Sequence, residues 1–278
     1  MDGPLFTLCT LLTALATIVS LRHSAQRNHR PQYRIARAAR TTAAAVCCAG
    51  SALSIPAVTE YATRTTGISG IAQFAAHLAA IGFCACLQVM LADWYHPAGR
   101  LRHSANWRLW AMLATVTVLT VQFWLIDSER TTPTTDFADN IQVYAYLLNY
   151  LGFAVYAATD ITWQATRLAC AASRKRLAPA LGLWLTAGGG LAFLLYALTK
   201  SSYLLAFQLG HAWPLKVEQV LSSQLIGLCV VTVAAGMGLA MFRNGTTAPP
   251  QRSTRGDPNA PQITTPAQQP GPSDATPG

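Results

Sequence analysis

Charged residues are scarce in this sequence. Only 11% of the 278 residues are Asp, Glu, Lys or Arg, whereas 52% are hydrophobic. An ordinary soluble domain carries about 25% charged residues. So few charges cannot cover the surface of a soluble globule of this size, and the composition therefore predicts an integral membrane protein.

Motifs of the common enzyme and cofactor sites are also missing. The sequence contains no HExxH, no GxSxG and no Walker-type glycine loop, so we predict a protein that is not an enzyme and holds no cofactor. His77 is the one histidine within the apolar stretches, which disfavours a metal site. The net charge of +9 comes from short basic clusters between apolar runs. This pattern is typical of membrane topology and excludes a nucleic-acid partner.

Seven stretches approach the length of about 20 apolar residues that a membrane-spanning helix needs. The first is short, and the second is the least apolar, with Pro56 near its end. We therefore predict an all-α bundle of seven transmembrane helices within residues 1–243. The predicted spans are residues 5–21, 41–58, 70–93, 109–126, 140–163, 181–209 and 217–242.

The distribution of Lys and Arg predicts the orientation. Sixteen of the 20 basic residues lie in segments 22–40, 94–108 and 164–180 and in the C-terminal tail, which seven spans place on one side. Basic residues concentrate in cytoplasmic loops. We therefore predict a multi-pass protein of the cell membrane, with its N-terminus outside and its C-terminus in the cytoplasm. Residues 244–278 contain eight prolines and no aromatic residue, which predicts a disordered cytoplasmic tail.

Residues 70–242 contain patterns that resemble a known family. These are Arg100-Leu101-Arg102, the run 144–150 (YAYLLNY), Arg174-Lys175-Arg176, Gly188-Gly189-Gly190 and the segment 195–205. Together they are similar to the MAB_1171c-type family of actinobacterial integral membrane proteins, which carry a C-terminal domain of unknown function. The resemblance implies a membrane transporter, and the Arg-rich, Lys-poor usage fits the same bacterial group.

Two ionisable residues lie within the predicted spans, where charge is costly and often functional. Asp160 falls toward the cytoplasmic end of its helix, where Arg167 is two turns further on and could pair with it. Lys200 falls in the outer part of an antiparallel helix, so a direct pair with Asp160 is not expected. Lys200 could extend to the outer headgroups, pair with Glu218, or face a ligand.

Uncharged polar residues concentrate in the outer halves of four predicted spans, within about 13 Å of the outer surface. We predict that they form an outward-facing pocket for a small polar or anionic solute, with Lys200 as the counter-charge. The alternative is that they hydrogen-bond between helices, as polar residues in membrane bundles commonly do. The predicted ligand-binding residues are Gln73, His77, Tyr146, Asn149, Tyr150, Lys200, Glu218 and Gln219.

The triplet Gly188-Gly189-Gly190 lies in the cytoplasmic half of the sixth predicted span. Small residues allow close helix packing, and glycine in a helix interior costs about 1 kcal/mol relative to alanine. The triplet is therefore either a packing surface or a hinge.

Three functions are compatible with this sequence. The first is a small-solute transporter, which predicts a cavity reaching past the middle of the membrane. The second is a non-enzymatic sensor that signals to a cytoplasmic protein partner, which predicts a shallow pocket. The third is an accessory protein without a ligand, which predicts a fully packed interior. In each case the lipid bilayer is the main partner.

Overall fold

The computed structural model describes residues 3–26, 34–96, 98–126, 132–173, 177–211 and 213–242, and these residues contain helices but no β-strand. The predicted all-α fold is confirmed. The predicted tail, 244–278, lies outside the described residues. The helices are α1 (Gly3–Gln26), α2 (Arg34–Leu53), α3 (Pro56–Thr66), α4 (Ile71–Tyr95), α5 (Ala98–Leu125), α6 (Ile141–Ser173), α7 (Leu177–Gln208) and α8 (Leu215–Phe242), with a short 3-10 helix at Thr135–Phe137.

Five of these helices, α4 to α8, are long and apolar enough to cross a membrane. The bent pair α2 and α3 adds a sixth span if it is counted as one. The apolar part of α1, Phe6–Val19, is shorter than the length that a span needs. The described residues therefore indicate a membrane protein with five or six candidate spans, and the predicted count of seven is not confirmed.

The second predicted span, 41–58, is bent sharply. Helix α2 ends at Leu53 and α3 begins at Pro56, with an angle of 83° between the axes of the two helices. Proline has no N–H to donate and disfavours helical geometry in the residue before it. Ile55 is accordingly extended, with φ −75° and ψ 125°, and Pro56 starts the next helix. The sequence analysis placed this proline near the end of one continuous helix, whereas in the structure it begins a second one.

Several helices extend beyond their predicted limits. Helix α5 begins at Ala98 instead of residue 109, α6 ends at Ser173 instead of residue 163, and α7 begins at Leu177 instead of residue 181. Hydropathy detects only the apolar part of a helix. Arg and Ala have high helix propensity, so the helix continues into polar sequence outside the hydrocarbon. Arg102 and Arg108 therefore lie on α5 and not in a loop.

Helices α6, α7 and α8 pack in sequence, and α4 contacts α2, α5 and α6. Between α7 and α8 the backbones meet at Gly182 and Gly236. A Cβ on either glycine would lie 2.5 Å from the carbonyl oxygen of the other. Glycine is required here because any side chain would separate the two helices, and small residues commonly mediate helix contacts in membranes.

The outer surface of the bundle is apolar, with large exposed side chains such as Leu11 and Leu15 on α1. Trp107, Trp110 and Trp163 are each more than half exposed. Trp107 and Trp110 lie where the polar beginning of α5 gives way to its apolar part, and Trp163 lies in the C-terminal third of α6. Exposed tryptophans at such boundaries are typical of the membrane–water interface.

The two ends of the bundle differ in charge. We call the end that holds Gly70, Pro133, Asp136 and Glu218 the acidic end, since contacts between these segments bring them together. We call the opposite end, where α4 and α6 finish and α5 and α7 begin, the basic end. Arg100, Arg102 and Arg167 lie there.

Candidate functional site

A cavity of about 400 Å³ lies within the bundle, between α2, α3 and α4 on one side and α6, α7 and α8 on the other. We call it the central cavity. Most of its lining is apolar, including Phe83, Phe193 and Val233. The lining residues with polar side chains are Ser51, Ser54, Thr59, Gln73, His77, Thr134, Tyr150 and Tyr196.

The cavity is elongated along α4. Along α4 its lining extends from Gln73 to Leu87, which are 15 residues and about 21 Å of helix. The hydrocarbon layer of a bilayer is about 30 Å thick. The cavity therefore extends along much of a membrane span, beginning near the acidic end.

His77 and Tyr150 form part of the polar wall of the cavity, and Tyr146 of α6 supports His77 from behind. His77 Nδ1 shares a hydrogen bond of 2.9 Å with the hydroxyl of Tyr146, and the imidazole stacks on the ring of Tyr150 with centroids 4.2 Å apart. Tyr146 itself is fully buried and does not line the cavity. Its bond therefore fixes the orientation of the His77 ring, which faces the cavity beside Tyr150.

Gln73 has an unused acceptor in the cavity wall. Its Oε1 is buried and has no hydrogen-bond partner among the described residues. Buried amide oxygens are nearly always hydrogen-bonded, and leaving one unpaired costs about 1–3 kcal/mol. A hydroxyl or amine of a bound molecule could donate to this oxygen.

Lys200 is paired with Glu218 and does not line the cavity. Its Nζ lies 2.8 Å from Oε1 of Glu218, whose side chain is completely buried. Thr135 Oγ1 donates to Oε2 of Glu218 over 3.3 Å, and the ring of Tyr196 lies 5.8 Å from the ammonium. Helix α7 ends at Gln208, so Lys200 is about 12 Å below the helix end. Of the alternatives for Lys200, the pair with Glu218 is the one that the geometry supports.

The segment 132–140 covers the acidic end above this ion pair. Pro133 is buried against Gly70, whose φ of 73° puts its backbone in the left-handed region that favours glycine. Gln219 Nε2 donates to Asp136 Oδ1 over 3.0 Å, which ties the start of α8 to the same segment. Gln219 therefore holds the covering segment and lies outside the cavity.

Asn149 is also outside the cavity. Its Nδ2 lies 3.4 Å from Oε1 of Gln122, a contact between α6 and α5. The eight residues predicted for the pocket therefore divide into three groups. Gln73, His77 and Tyr150 line the central cavity, and Tyr146 supports His77. Lys200, Glu218, Gln219 and Asn149 make contacts between helices or with the covering segment.

The glycine triplet lies inside α7, which is continuous from Leu177 to Gln208. A Cβ on Gly189 would meet Val233 and Thr232 of α8, and one on Gly190 would meet Thr162 of α6. Gly188 has open space around it. Two of the three glycines thus serve close packing, and a hinge at this place remains a prediction.

A second polar cluster lies toward the basic end. Asp160 receives two hydrogen bonds from Arg108, Nε to Oδ2 at 2.8 Å and Nη2 to Oδ1 at 2.9 Å. Gln88 and Gln164 also donate to Oδ2, at 2.9 and 2.8 Å. Arg108 further contacts Ser104 on its own helix. The cluster joins α4, α5 and α6.

The sequence suggested that Asp160 pairs with Arg167. In the structure the two residues do not pair. Arg167 is exposed, and its guanidinium lies 4.5 Å from the ring centroid of Trp163. Arg167 lies seven residues after Asp160, a separation of about 10 Å along the axis, whereas Arg108 reaches the carboxylate from the neighbouring helix. The interpretation that Asp160 pairs with a nearby basic residue holds, but the partner was wrong.

Sequence reasoning missed Arg108, Gln88 and Gln164 in this cluster. Arg108 was counted as a loop residue because the apolar run begins directly after it. Gln164 follows Asp160 by four residues, a spacing that puts both on one helix face and was an available signal. The contribution of α2 and α3 to the cavity was also missed, since their turn could not be deduced from hydropathy.

The chemistry available in the cavity is hydrogen bonding on an apolar background. Among the described residues no group of three or more His, Cys, Asp or Glu side chains could hold a metal ion. Comparison with known protein families, with curated proteins and with solved structures finds no match for this chain. The functional argument therefore depends on the geometry of the site.

Proposed function

We propose that this chain is a multi-pass protein of the cell membrane that carries a small solute through the central cavity. Seven spans, with the basic end in the cytoplasm and the N-terminus outside, agree best with the distribution of Lys and Arg. The seventh span in this proposal is α1, whose full length of 24 residues includes the apolar part that is too short alone.

The observation that carries the proposal is the length of the central cavity. Of the three candidate functions, an accessory protein requires a packed interior and a sensor requires a shallow pocket. A cavity with lining residues over about 21 Å of α4 favours transport over both. Its volume of about 400 Å³ is within the range of about 300–1,000 Å³ that is usual for small-molecule sites.

The solute we propose is uncharged and largely apolar, with one or two groups that can hydrogen-bond. An apolar lining favours such a molecule, and the free oxygen of Gln73 and the His77 ring provide polar contacts. Lys200 was predicted to attract an anion. Because Glu218 already balances its charge, an anionic solute is no longer favoured.

The sequence patterns in residues 70–242 that resemble the MAB_1171c-type family would imply the same function, but comparison with protein families finds no match, so the proposal does not depend on them. The hinge at Gly188-Gly189-Gly190 is the element that we propose for a change of access between the two ends, since a bend in α7 would move Phe193 and Tyr196 at the cavity wall.

The test is solute binding followed by transport. Purified protein is screened by thermal shift against a panel of uncharged small molecules, and a hit is then followed in proteoliposomes as a radiolabelled compound. We expect Gln73→Leu and His77→Leu to weaken binding and uptake, and Gln142→Leu, at an exposed position outside the cavity, to leave both unchanged.

Two results would contradict the proposal. If a bound compound raises the melting temperature but is never taken up, the protein is a sensor instead of a transporter. If no compound binds, or if the cavity variants bind a hit as well as the native protein does, the central cavity is not the site.

A further inference from the structure

The polar side chains that line the central cavity lie toward the acidic end. On α4, Gln73 and His77 are about 3 and 9 Å from the start of the helix. Farther along α4 the lining has no hydroxyl, amide or imidazole group as far as Leu87, which is about 24 Å from the start. This side of the cavity therefore changes from polar to apolar along its length.

Three more elements place hydroxyl groups in the same part of the cavity. Ser51 is near the end of α2, beside the first turns of α4, since a Cβ on the adjacent Gly50 would lie 2.9 Å from the Cβ of Ala79. Thr59 belongs to α3, which follows α2 directly, and Thr134 belongs to the covering segment. The hydroxyl groups of these elements are therefore on the same level as Gln73 and His77.

The part of the cavity nearer to the basic end is apolar on every helix that lines it. On α6 the polar residue Tyr150 is followed by Ile161, and on α7 Gly190 is nearer to the basic end than Tyr196. A Cβ on Gly190 would lie 3.4 Å from Cγ2 of Ile161, so the two helices meet in this deeper part. Helix α8 lines the cavity only from Ile226 onward, with aliphatic side chains and one thiol. A cysteine of this kind packs like a small apolar residue.

The lining also indicates what the polar part of a ligand must be. No Asp, Glu, Lys or Arg among the described residues lines the cavity, so a charged group would be buried there without a counter-charge. The Oε1 of Gln73 is buried and accepts no hydrogen bond. A neutral group that carries an O–H or N–H can donate to this oxygen, whereas an ether or an ester cannot.

We propose that the solute of the central cavity is a neutral amphiphile of the long-chain alcohol type. Its hydroxyl group lies at Gln73 and His77, and its hydrocarbon chain extends along Phe83 and Leu87 toward the basic end. This inference rests on the proposed function in taking the central cavity as the solute site, and it adds the class of the solute and its orientation.

Two other classes of uncharged solute fit the cavity less well. A sugar or another compact polyol would leave hydroxyl groups without partners in the apolar part, which costs free energy for each group. A plain hydrocarbon would fill the apolar part but leave the oxygen of Gln73 unpaired. An amphiphile satisfies both parts of the cavity at once.

The experiment maps the orientation of decanol in the full chain, reconstituted in lipid nanodiscs. Two photoreactive analogues are used, one with a diazirine beside the hydroxyl group and one with a diazirine at the far end of the chain. Mass spectrometry of the cross-linked peptides then identifies the labelled residues. We expect the first analogue to label residues around His77 and the second to label residues around Leu87, and unlabelled decanol should compete with both.

Variants and a matched probe test the two parts of the cavity separately. In the native protein, decanol should compete about tenfold better than decyl methyl ether, which has no donor, and this advantage should disappear in Gln73→Leu but persist in Gln142→Leu. Ala80→Trp, which fills the cavity, should abolish the labelling that decanol can compete for. Ala114→Trp adds the same bulk at an exposed position of α5 and should not.

Several results would overturn the proposal. Reversed labelling, or labelling of the same residues by both analogues, would refute the orientation in the native protein, whether or not Gln73→Leu folds. Labelling that persists in Ala80→Trp would come from side chains that face lipid, which would refute the site. If decanol does not compete while a hit of the thermal-shift screen binds in the cavity and is taken up, the alcohol class is wrong and the proposed transport stands. The expected labelling without uptake of any compound would instead support the amphiphile site and contradict transport.

Discussion

Lys200 and Glu218 form an ion pair inside the bundle, with 2.8 Å between the ammonium and the carboxylate. The contribution of each charge to the stability of the protein depends on the presence of the other. Taking either charge out of water is expensive, and the cost is offset only while the partner and its hydrogen bonds remain. Glu218 also lies in the first turn of α8, where the helix dipole stabilises a negative charge. The pair thus holds α7 to α8 at the acidic end.

We expect Glu218→Gln to destabilise the protein by about 3–5 kcal/mol, because it leaves the ammonium of Lys200 buried without a counter-charge. The double variant Lys200→Met with Glu218→Gln should recover part of this loss. The measurement is reversible unfolding in mixed micelles. Glu60→Gln is the control, since the Glu60–Arg64 pair is exposed and its loss should change the stability by less than about 1 kcal/mol. Equal effects of Glu218→Gln and Glu60→Gln would contradict the buried pair.

The partner of Asp160 can be identified by double-mutant cycles. Asp160→Asn combined with Arg108→Gln should give a coupling energy of about 1–3 kcal/mol, because the two side chains share two hydrogen bonds. The same cycle with Arg167→Gln should give a coupling near zero, since Arg167 stacks on Trp163. A larger coupling to Arg167 than to Arg108 would restore the original interpretation of the sequence.

At the scale of helices, close packing depends on where a glycine lies and not only on its presence. Gly182 and Gly236 face each other across α7 and α8, whereas Gly188 points to open space. Gly236→Ala should therefore force the helices apart and lower the melting temperature. Gly188→Ala should be neutral or stabilising by up to about 1 kcal/mol, because alanine has the higher helix propensity. A large loss of stability in Gly188→Ala would contradict this, because it would show that another part of the protein packs against Gly188.

The same variant also tests the hinge. If α7 bends at the glycine triplet during transport, Gly188→Ala should slow uptake in proteoliposomes while leaving solute affinity and melting temperature nearly unchanged. Unchanged uptake in this variant would leave close packing as the whole role of the triplet.

Helix positions were easier to predict from the sequence than helix contacts. Hydropathy found α4 to α8 because a membrane span must be long and apolar. It misjudged the region around Pro56, since one proline can end a helix, bend it or start the next one, and the choice depends on tertiary packing. The pair of Lys200 with Glu218 was foreseeable from shared depth. The pair of Arg108 with Asp160 was not, because it depends on the rotation of α5 against α6.

At the scale of the whole molecule, the central cavity lies beside a second space in the bundle. The central cavity shares five lining residues with a groove of about 430 Å³ between α1, α2 and α8, namely Cys47, Phe83, Leu87, Val230 and Val233. These side chains therefore contact both spaces. Phe83 has the largest side chain among them, so its truncation would enlarge both.

The orientation of the bundle is part of the proposed function, and labelling of single cysteines tests it. Asp139→Cys at the acidic end and Ser173→Cys at the basic end are both exposed, and native Cys170 is replaced by serine because it is exposed near Ser173. In intact cells, a membrane-impermeant maleimide should label position 139 only, and position 173 should react after the cells are opened. Basic residues are retained on the cytoplasmic side during insertion, which is the physical reason for this expectation.

Two other outcomes would contradict this orientation. Labelling of both positions in intact cells would mean that the number of spans between them is even. Labelling of position 173 alone would mean that the bundle is inverted.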